Sequence, residues 1–417
     1  MRVVKLQTDC GAPLFVVEMP HVHSAALGIL ARAGTRDEIC PEESGLAHAF
    51  EHMVFRGNQR FRTSEQLTGY LEKLGGDVNA STSPETTFFH ATVPSRYLQE
   101  SVEYLYHLVS TPTFRSQYIA PEMDNIVGEI KSRNDDPEEF VDDLSDEIIY
   151  KNHPLGQPVL GTIQSVSGFS RKSFLRWQEK FYHPNNFSFI AVGNLNSSKA
   201  LQTFNRFFRQ TSKKPGNRAT SMPICEPSQK FKLVRRSVEQ VHLSLATAVS
   251  GANNDATKAL FLFERMIDGG MSFPLFQEVR EKYGLGYVVN ANLTPWSDVG
   301  TFKFYLGIEP KKLPSTIKLI FRIITETVGN KKLFREAKEL MINQVSMGPE
   351  SSSGVLQKLA MDLELKNRIV TPAEVIRNIH SITPTDVSTA VAKYLPPENF
   401  IQAMVAPKGF RPNPSPL

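Results

Sequence analysis

The chain carries the same order of strands and helices twice, on either side of a polar stretch near its middle. Each half has two helical patterns followed by an Asn-Ala pair, Asn79-Ala80 in the first half and Asn290-Ala291 in the second. Alternating apolar segments follow at 86–93 and 300–308, with the period of two that is typical of a half-buried strand. The sequence therefore predicts an internal duplication.

The length agrees with two domains, because 417 residues exceed what one hydrophobic core normally organises. A stretch rich in Pro, Gly and Lys indicates a linker at 213–230, which leaves one domain at 1–212 and a homologous one at 231–417. In both halves the strands occur in groups with helices after them. We predict an α+β fold of two homologous domains, each a mostly antiparallel β-sheet with helices packed on one face.

The composition argues against several classes of protein. The formal net charge is only +4, so neither nucleic acid nor a membrane surface is indicated as a partner. No apolar run approaches the roughly 18 residues that a transmembrane helix requires, so we expect no membrane insertion. Cys10, Cys40 and Cys225 suggest no disulfide framework, which favours a reducing compartment. We expect a cytoplasmic location if the chain is bacterial, and an organellar matrix stays open, since a trimmed presequence would leave the same chain.

The segment His48-Ala49-Phe50-Glu51-His52 carries the clearest chemistry. It fits the pattern H-x-x-E-H, in which positions i and i+4 of a helix direct both imidazoles to one ion. Glu51 falls on the same face, where a carboxylate can act as general base toward a metal-bound water. Two imidazoles and a carboxylate suit zinc. The competing interpretation is an amphipathic helix whose histidines line a core.

A third ligand has to come from elsewhere in the chain. Glu122 and Glu129 lie seven residues apart in a helical pattern, so both project from one helix face. An ordinary solvated acidic stripe would show the same spacing, and the two carboxylates become candidates only because of the histidines.

The chain as a whole resembles the pitrilysin-type (inverzincin) zinc peptidases, in particular the branch of bacterial and mitochondrial processing peptidases. Residues 48–52 match the family's metal motif, and the segments 153–162 and 181–186 are similar to family segments as well. The resemblance covers nearly the whole chain. It implies the mitochondrial-processing-peptidase-like metallohydrolase fold.

The resemblance also implies roles for individual residues. In the family the motif is completed by a downstream glutamate, and Glu129, which lies 77 residues after His52, has the spacing for this role. His48, His52 and Glu129 are then the ligands of one Zn²⁺ per chain. Glu51 is the catalytic base, and Glu122 matches an upstream glutamate that supports catalysis from beside the metal.

The second half carries a separate family signal. Arg280 and Tyr287 lie seven residues apart, the spacing at which family members place an arginine and a tyrosine that bind the substrate backbone. A guanidinium and a phenol are suitable donors to a carbonyl that develops negative charge. The sequence departs from many relatives at Phe273-Pro274, where Ser-Arg is frequent. A surface arginine and a strand tyrosine are the competing interpretation.

The second copy of the duplicated pattern has lost the metal ligands. When the halves are overlaid, Phe261, Glu264 and Arg265 replace the motif residues, and Asn343 replaces Glu129. We therefore expect the second half to bind no metal. The first half would carry the zinc chemistry and the second half would bind substrate.

Two further features bear on peptide substrates. Asn79 and Ala80 resemble the family's edge strand, to which an extended peptide adds by main-chain hydrogen bonds. The acidic run at 135–143 could favour basic peptides, although a solvated helix start explains it more simply.

The sequence thus predicts a zinc-dependent endopeptidase that hydrolyses peptides or unfolded segments with Glu51 as general base. The alternative is a non-catalytic assembly or partner subunit with the same fold. A structural zinc site is a third interpretation, but structural sites usually have four protein ligands. At this length the family resemblance implies two subunits around a chamber. A homodimer is the simplest expectation, with a heterodimer as the alternative.

Overall fold

Each half of the chain builds one β-sheet in the computed structural model, which describes residues 2–209, 227 and 229–411. The strands of the first sheet are β1 (Val4–Gln7), β2 (Pro13–Glu18), β3 (Ser24–Ala31), β4 (Asp77–Thr82), β5 (Thr87–Pro94) and β6 (Phe187–Gly193). Those of the second sheet are β7 (Phe231–Arg236), β8 (Val241–Ser250), β9 (Gly286–Pro295), β10 (Val299–Ile308) and β11 (Ile401–Pro407).

The helices form two series in chain order, one in each half of the sequence. The first series is α1 (Leu46–Val54), α2 (Ser64–Lys73), α3 (Leu98–Ser110), α4 (Ser116–Asp135), α5 (Pro137–Ile149), α6 (Ile163–Ser167), α7 (Arg171–Phe181) and α8 (Ser197–Phe207). The second is α9 (Asp255–Asp268), α10 (Leu313–Val328), α11 (Lys331–Met347), α12 (Ser352–Lys366), α13 (Pro372–Ser381) and α14 (Pro384–Tyr394). A π-helical segment, Leu275–Lys282, follows α9.

The strand order confirms the predicted duplication. The first sheet runs β1-β2-β6-β3-β5-β4 and the second runs β7-β11-β8-β10-β9. The two orders coincide once the additional β1 is set aside. The pairs β2–β6 and β7–β11 are parallel, and the other described pairs are antiparallel. The predicted α+β fold with two homologous, mostly antiparallel sheets is therefore confirmed.

The main layer of helices lies on one face of each sheet, as predicted, and one more helix covers the opposite face. Helix α12 packs on the second face of the first sheet, where Leu356 and Leu359 meet Ile190 and Val192. Helix α5 covers the second sheet in the same way. Strand β6 is buried at every position, which follows from a sheet covered on both faces.

These two helices are exchanged between the halves of the sequence. The first compact unit comprises Met1–Ser132, Gln157–Thr220 and Pro349–Ile369, and the second comprises Arg133–Gly156, Ser221–Gly348 and Val370–Leu417. The units thus differ from the contiguous ranges 1–212 and 231–417 by one segment in each direction. Most of the predicted linker 213–230 lies outside the described residues.

Candidate metal centre

Helix α1 has one apolar face in the core of the first unit and one polar face beside the edge strand β4. Ala47, Phe50 and Met53 are fully buried in the core, which fixes the rotation of the helix. His48 and His52, one helical turn apart, therefore lie together on the other face, with ring centroids 4.5 Å apart.

Helix α4 brings Glu129 to the two imidazoles. Oε2 of Glu129 lies 3.9 Å from His48 Nε2 and 3.7 Å from His52 Nε2. The three ligand atoms lie within 4.8 Å of one another, and among the described residues they form the only His/Cys/Asp/Glu cluster of this kind. Ligands about 2.1 Å from a tetrahedral zinc lie about 3.4 Å apart, so small movements would close this triad on the ion. The donor set and its geometry fit zinc with one coordination position left open.

His52 is oriented by a chain of charged groups. Its Nδ1 lies 2.8 Å from Glu122 Oε1, and the other oxygen of Glu122 pairs with Arg56. Burial opposes the ionised form of Glu122, but the hydrogen bonds from His52 and Arg56 lower its pKa below the usual value. A carboxylate on the far nitrogen fixes the ring so that Nε2 can face a metal. Glu122 thus lies beside the candidate ligand His52, and its supporting role stays a prediction.

His48 is held differently from His52. Its Nδ1 is buried and has no hydrogen-bond partner among the described residues. Burial, together with the neighbouring His52, lowers the pKa of His48 to about 3. The imidazole is therefore neutral at ordinary pH, which is the form that binds a metal.

Glu51 lies on the same face of α1 and is tied to the edge strand. Thr82 Oγ1 of β4 donates to Glu51 Oε2 at 2.5 Å. Burial raises the pKa of Glu51 above its usual value, although the Thr82 hydrogen bond opposes the shift. A raised pKa suits a carboxylate that must accept a proton near neutral pH.

Strand β4 is an edge of the first sheet, and alternate residues along it are exposed. Asn79 and Ala80 lie at its middle, where the Asn79 side-chain oxygen accepts the N–H of Ala80 at 2.8 Å. The strand is thus an open sheet edge, and its role in binding an extended peptide stays a prediction.

The second-half candidates lie in the second unit. Arg280 belongs to the π-helical segment, with its guanidinium 5.0 Å from the Phe276 ring centre. Tyr287 is in β9, but its side chain lies outside the described part of the chain. The proposed substrate-binding role of this pair stays a prediction.

The acidic run at 135–143 is largely used inside the second unit. Asp136 caps α5, Asp143 pairs with Arg133 at 2.9 Å, and Asp142 pairs with Lys303 at 2.7 Å. These contacts match the simpler interpretation of the run as a helix start with internal ion pairs.

Three partners of the site were not predicted from sequence. Arg56 pairs with Glu122, and Thr82 donates to Glu51. Glu38 accepts hydrogen bonds from the first turn of α1. Arg56 lies one helical turn after His52, and this spacing is the one signal that could have found it.

Two family models together match most of the chain. The insulinase (peptidase family M16) model matches residues 15–163, and the peptidase M16 inactive domain model matches residues 168–341. The chain belongs to the M16 family of pitrilysin-type peptidases. The first M16 model covers the cluster of His48, His52 and Glu129. The second, by its own description an inactive domain, covers much of the copy that lacks the two motif histidines.

Individual M16 relatives align over nearly the full length. An uncharacterized zinc protease of Rickettsia bellii is 28% identical over 90% of this chain and 91% of its own, and one of Bacillus subtilis is 26% identical over 97% and 98%. A protease from Helicobacter pylori has a TM-score of 0.89 at 19% identity, covering 97% of this chain and 99% of its own. A Pseudomonas fluorescens structure described as a peptidase M16 inactive domain has the same TM-score at 20% identity, covering 99% of both chains.

In the part of this chain that the structure describes, no helix is both long enough and apolar enough to cross a bilayer.

Proposed function

We propose that the chain is a zinc-dependent endopeptidase that uses Glu51 as its general base. The observation that carries this proposal is the convergence of His48, His52 and Glu129 on one point, with Glu51 on the same helix face. The names of the relatives as zinc proteases agree with it.

The residues of this chain have distinct tasks in the proposed reaction. Zinc bound by the triad would polarise the scissile carbonyl and acidify a water. Glu51 accepts the proton of the attacking water and passes it to the leaving amine, and the Thr82 hydroxyl holds its carboxylate toward the edge strand. Glu122 keeps His52 in the tautomer that presents Nε2.

The exposed edge of β4 supports an extended polypeptide as substrate. Main-chain hydrogen bonds along Asn79 and Ala80 read the backbone more than the side chains, so we propose broad specificity for unfolded segments. Arg280 and Tyr287 are proposed to bind substrate carbonyls. A homodimer is proposed as the active form, with Glu51 of one subunit and Arg280 of the other in the same site. Mixing Glu51→Gln subunits with Arg280→Ala subunits tests this. If the sites are shared, a mixed dimer has one site with both residues intact and regains activity.

The proposal is tested by zinc quantification together with peptide-library cleavage followed by mass spectrometry. Wild type should hold one zinc per chain and cleave unfolded peptides, and Glu51→Gln should keep the zinc and lose cleavage. Cleavage that survives Glu51→Gln would contradict the assignment of the base. Zinc binding without cleavage of any peptide, alone or with partner chains, would favour the non-catalytic subunit.

A further inference from the structure

The first turn of α1 is pressed against a second backbone segment, and glycines allow the contact. Gly45, at the start of the helix, has φ +87°, and a Cβ there would lie 2.6 Å from the carbonyl oxygen of Leu160 and 2.8 Å from Gly161 Cα. Gly161 has φ +76° and meets the backbone of Ser44 and Gly45 in return. Residue 45 therefore cannot carry the Ser, Thr, Asn or Asp side chain that ordinarily caps a helix.

Glu38, in the loop before α1, caps the helix in place of residue 45. One of its carboxylate oxygens accepts the N–H of Gly45 at 2.9 Å, and the other accepts the N–H of Ala47 at 2.8 Å. The residue is only 5% exposed, and burial raises the pKa of Glu38 well above its usual value despite these hydrogen bonds. Burying a carboxylate is unfavourable, so this cap costs more than a local polar side chain, which the backbone contact at residue 45 excludes.

The residue that follows these N–H groups is His48. Its Nδ1 has no hydrogen-bond partner among the described residues, whereas His52 is held through its own Nδ1 by Glu122. Among the described residues no such hydrogen bond orients the His48 ring from its Nδ1 side, so the backbone of the first helical turn contributes to its place. That turn is held by Glu38.

We propose that Glu38 is a positioning residue of the metal centre, which fixes the first turn of α1 against Gly161 and so holds His48 in place as a zinc ligand. The inference rests on the zinc site proposed above. It also gives a role to the segment 153–162, because Gly161 provides the surface against which the helix start is set. In the half without metal ligands, α9 has an ordinary cap, with the Asn254 side chain accepting the N–H of Ala256.

The test compares Glu38→Gln with wild type in zinc affinity, measured by competition with a chelator, and in the visible spectrum of the Co²⁺-substituted protein. The amide keeps one acceptor and loses the other, so the first turn loses one of its two anchors. We expect the dissociation constant for zinc to rise about 10-fold to 100-fold, as for other groups that orient metal ligands. The Co²⁺ spectrum should change, since the His48 ligand is displaced.

Glu43→Gln is the matched control. Glu43 is buried in the same loop, but its carboxylate accepts from Ile39 N–H and Arg176. We expect this variant to keep the wild-type zinc affinity and Co²⁺ spectrum. If both variants weaken zinc binding equally, the effect belongs to the loop as a whole and the positioning role is overturned.

Thermal unfolding of the metal-free proteins separates positioning from general stability. A merely structural Glu38 would lower the apo melting temperature of the variant and leave zinc affinity and the Co²⁺ spectrum unchanged, which would overturn the proposal. If Glu38→Gln does not fold, Glu38→Asp, which keeps the charge but has a shorter reach, carries the same test. Wild type that binds no zinc would instead contradict the proposed function.

Discussion

Helices α1 and α9 occupy equivalent places in the two sheets, yet their polar faces differ. Each packs against its sheet beside an edge strand, β4 in the first unit and β9 in the second. Both are tied to that strand, since Glu51 accepts from Thr82 of β4 and Asp268 accepts from the N–H of Ala291 of β9 at 2.8 Å. The connection between helix and edge strand is thus common to both halves.

The chemistry differs because of a few side chains on this shared frame. Where α1 has two imidazoles and Glu51, α9 has Phe261, Glu264 and Arg265. Glu264 is buried, and burial raises the pKa of Glu264 to about 7, although Arg265 at 3.5 Å opposes the shift. The comparison teaches that the fold supplies the helix and the edge strand in both halves, and that a few side chains distinguish the proposed zinc site from its copy.

The largest expected effect is on zinc content, when His52 of α1 is replaced by the arginine that α9 has at the equivalent position. His52→Arg removes one of three ligands and adds a cation, so zinc content should fall from one per chain to none. Arg265→His, the reverse change, should leave the zinc content at one per chain. Phe261 still has no ligand atom, and Asn343 offers only a neutral amide oxygen in place of a carboxylate. Metal analysis of the purified variants measures both, and a second zinc in Arg265→His would contradict the comparison.

The two equivalent glutamates should differ in their effect on activity. Glu51→Gln should lower kcat by roughly 10²-fold to 10⁴-fold, the range typical for loss of a general base. Glu264→Gln should leave kcat within about twofold of wild type, since no ligand triad accompanies Glu264. Steady-state cleavage of an unfolded peptide measures both. A large loss in Glu264→Gln would mean that the second unit takes part in catalysis.

Glu264 should instead make stability depend on pH. Its folded pKa of about 7 lies above the usual 4.5, so the folded state binds more protons and stability falls as pH rises between these values. The loss should be complete above pH 7 and amount to about 3 kcal/mol at most. Glu264→Gln should remove it, and urea unfolding at pH 5 and pH 8 measures this. The exposed Glu336→Gln is the control, and an unchanged pH dependence in Glu264→Gln would contradict the prediction.

The smallest expected effect concerns the helix caps. Asn254→Ala removes a local cap of α9 and should lower the free energy of unfolding by about 1 kcal/mol, without changing zinc affinity. Chemical denaturation and chelator competition measure the two quantities. A lower zinc affinity in this variant would show that the cap of α9 affects the proposed zinc site. It would contradict the assignment of metal binding to the first unit alone.

The sequence predicted those features that depend on local pattern. Strand alternation and repeated Asn-Ala pairs indicated the duplicated sheets, and helical spacing placed His48, Glu51 and His52 on one face. Glu129 required the family resemblance, because a lone acidic position on a helix carries no signal of what it faces.

Features that depend on tertiary contacts were missed. The sequence around α5 and α12 shows ordinary helical patterns, which do not say against which sheet a helix packs. Glu38 lies in an irregular loop, and its contact with α1 depends on the close approach of Gly45 and Gly161. Such long-range placements follow from packing and have no period in the sequence.

The exchanged helices also affect how the chain is made. A ribosome releases the strands of the first sheet early, but α12, which covers the second face of that sheet, emerges only with residues 352–366. Until then Phe15, Ile190 and Val192 lack their apolar cover, so the nascent first unit exposes an apolar surface that is prone to aggregation. The unit that is encoded first therefore cannot finish folding until most of the second has been synthesised.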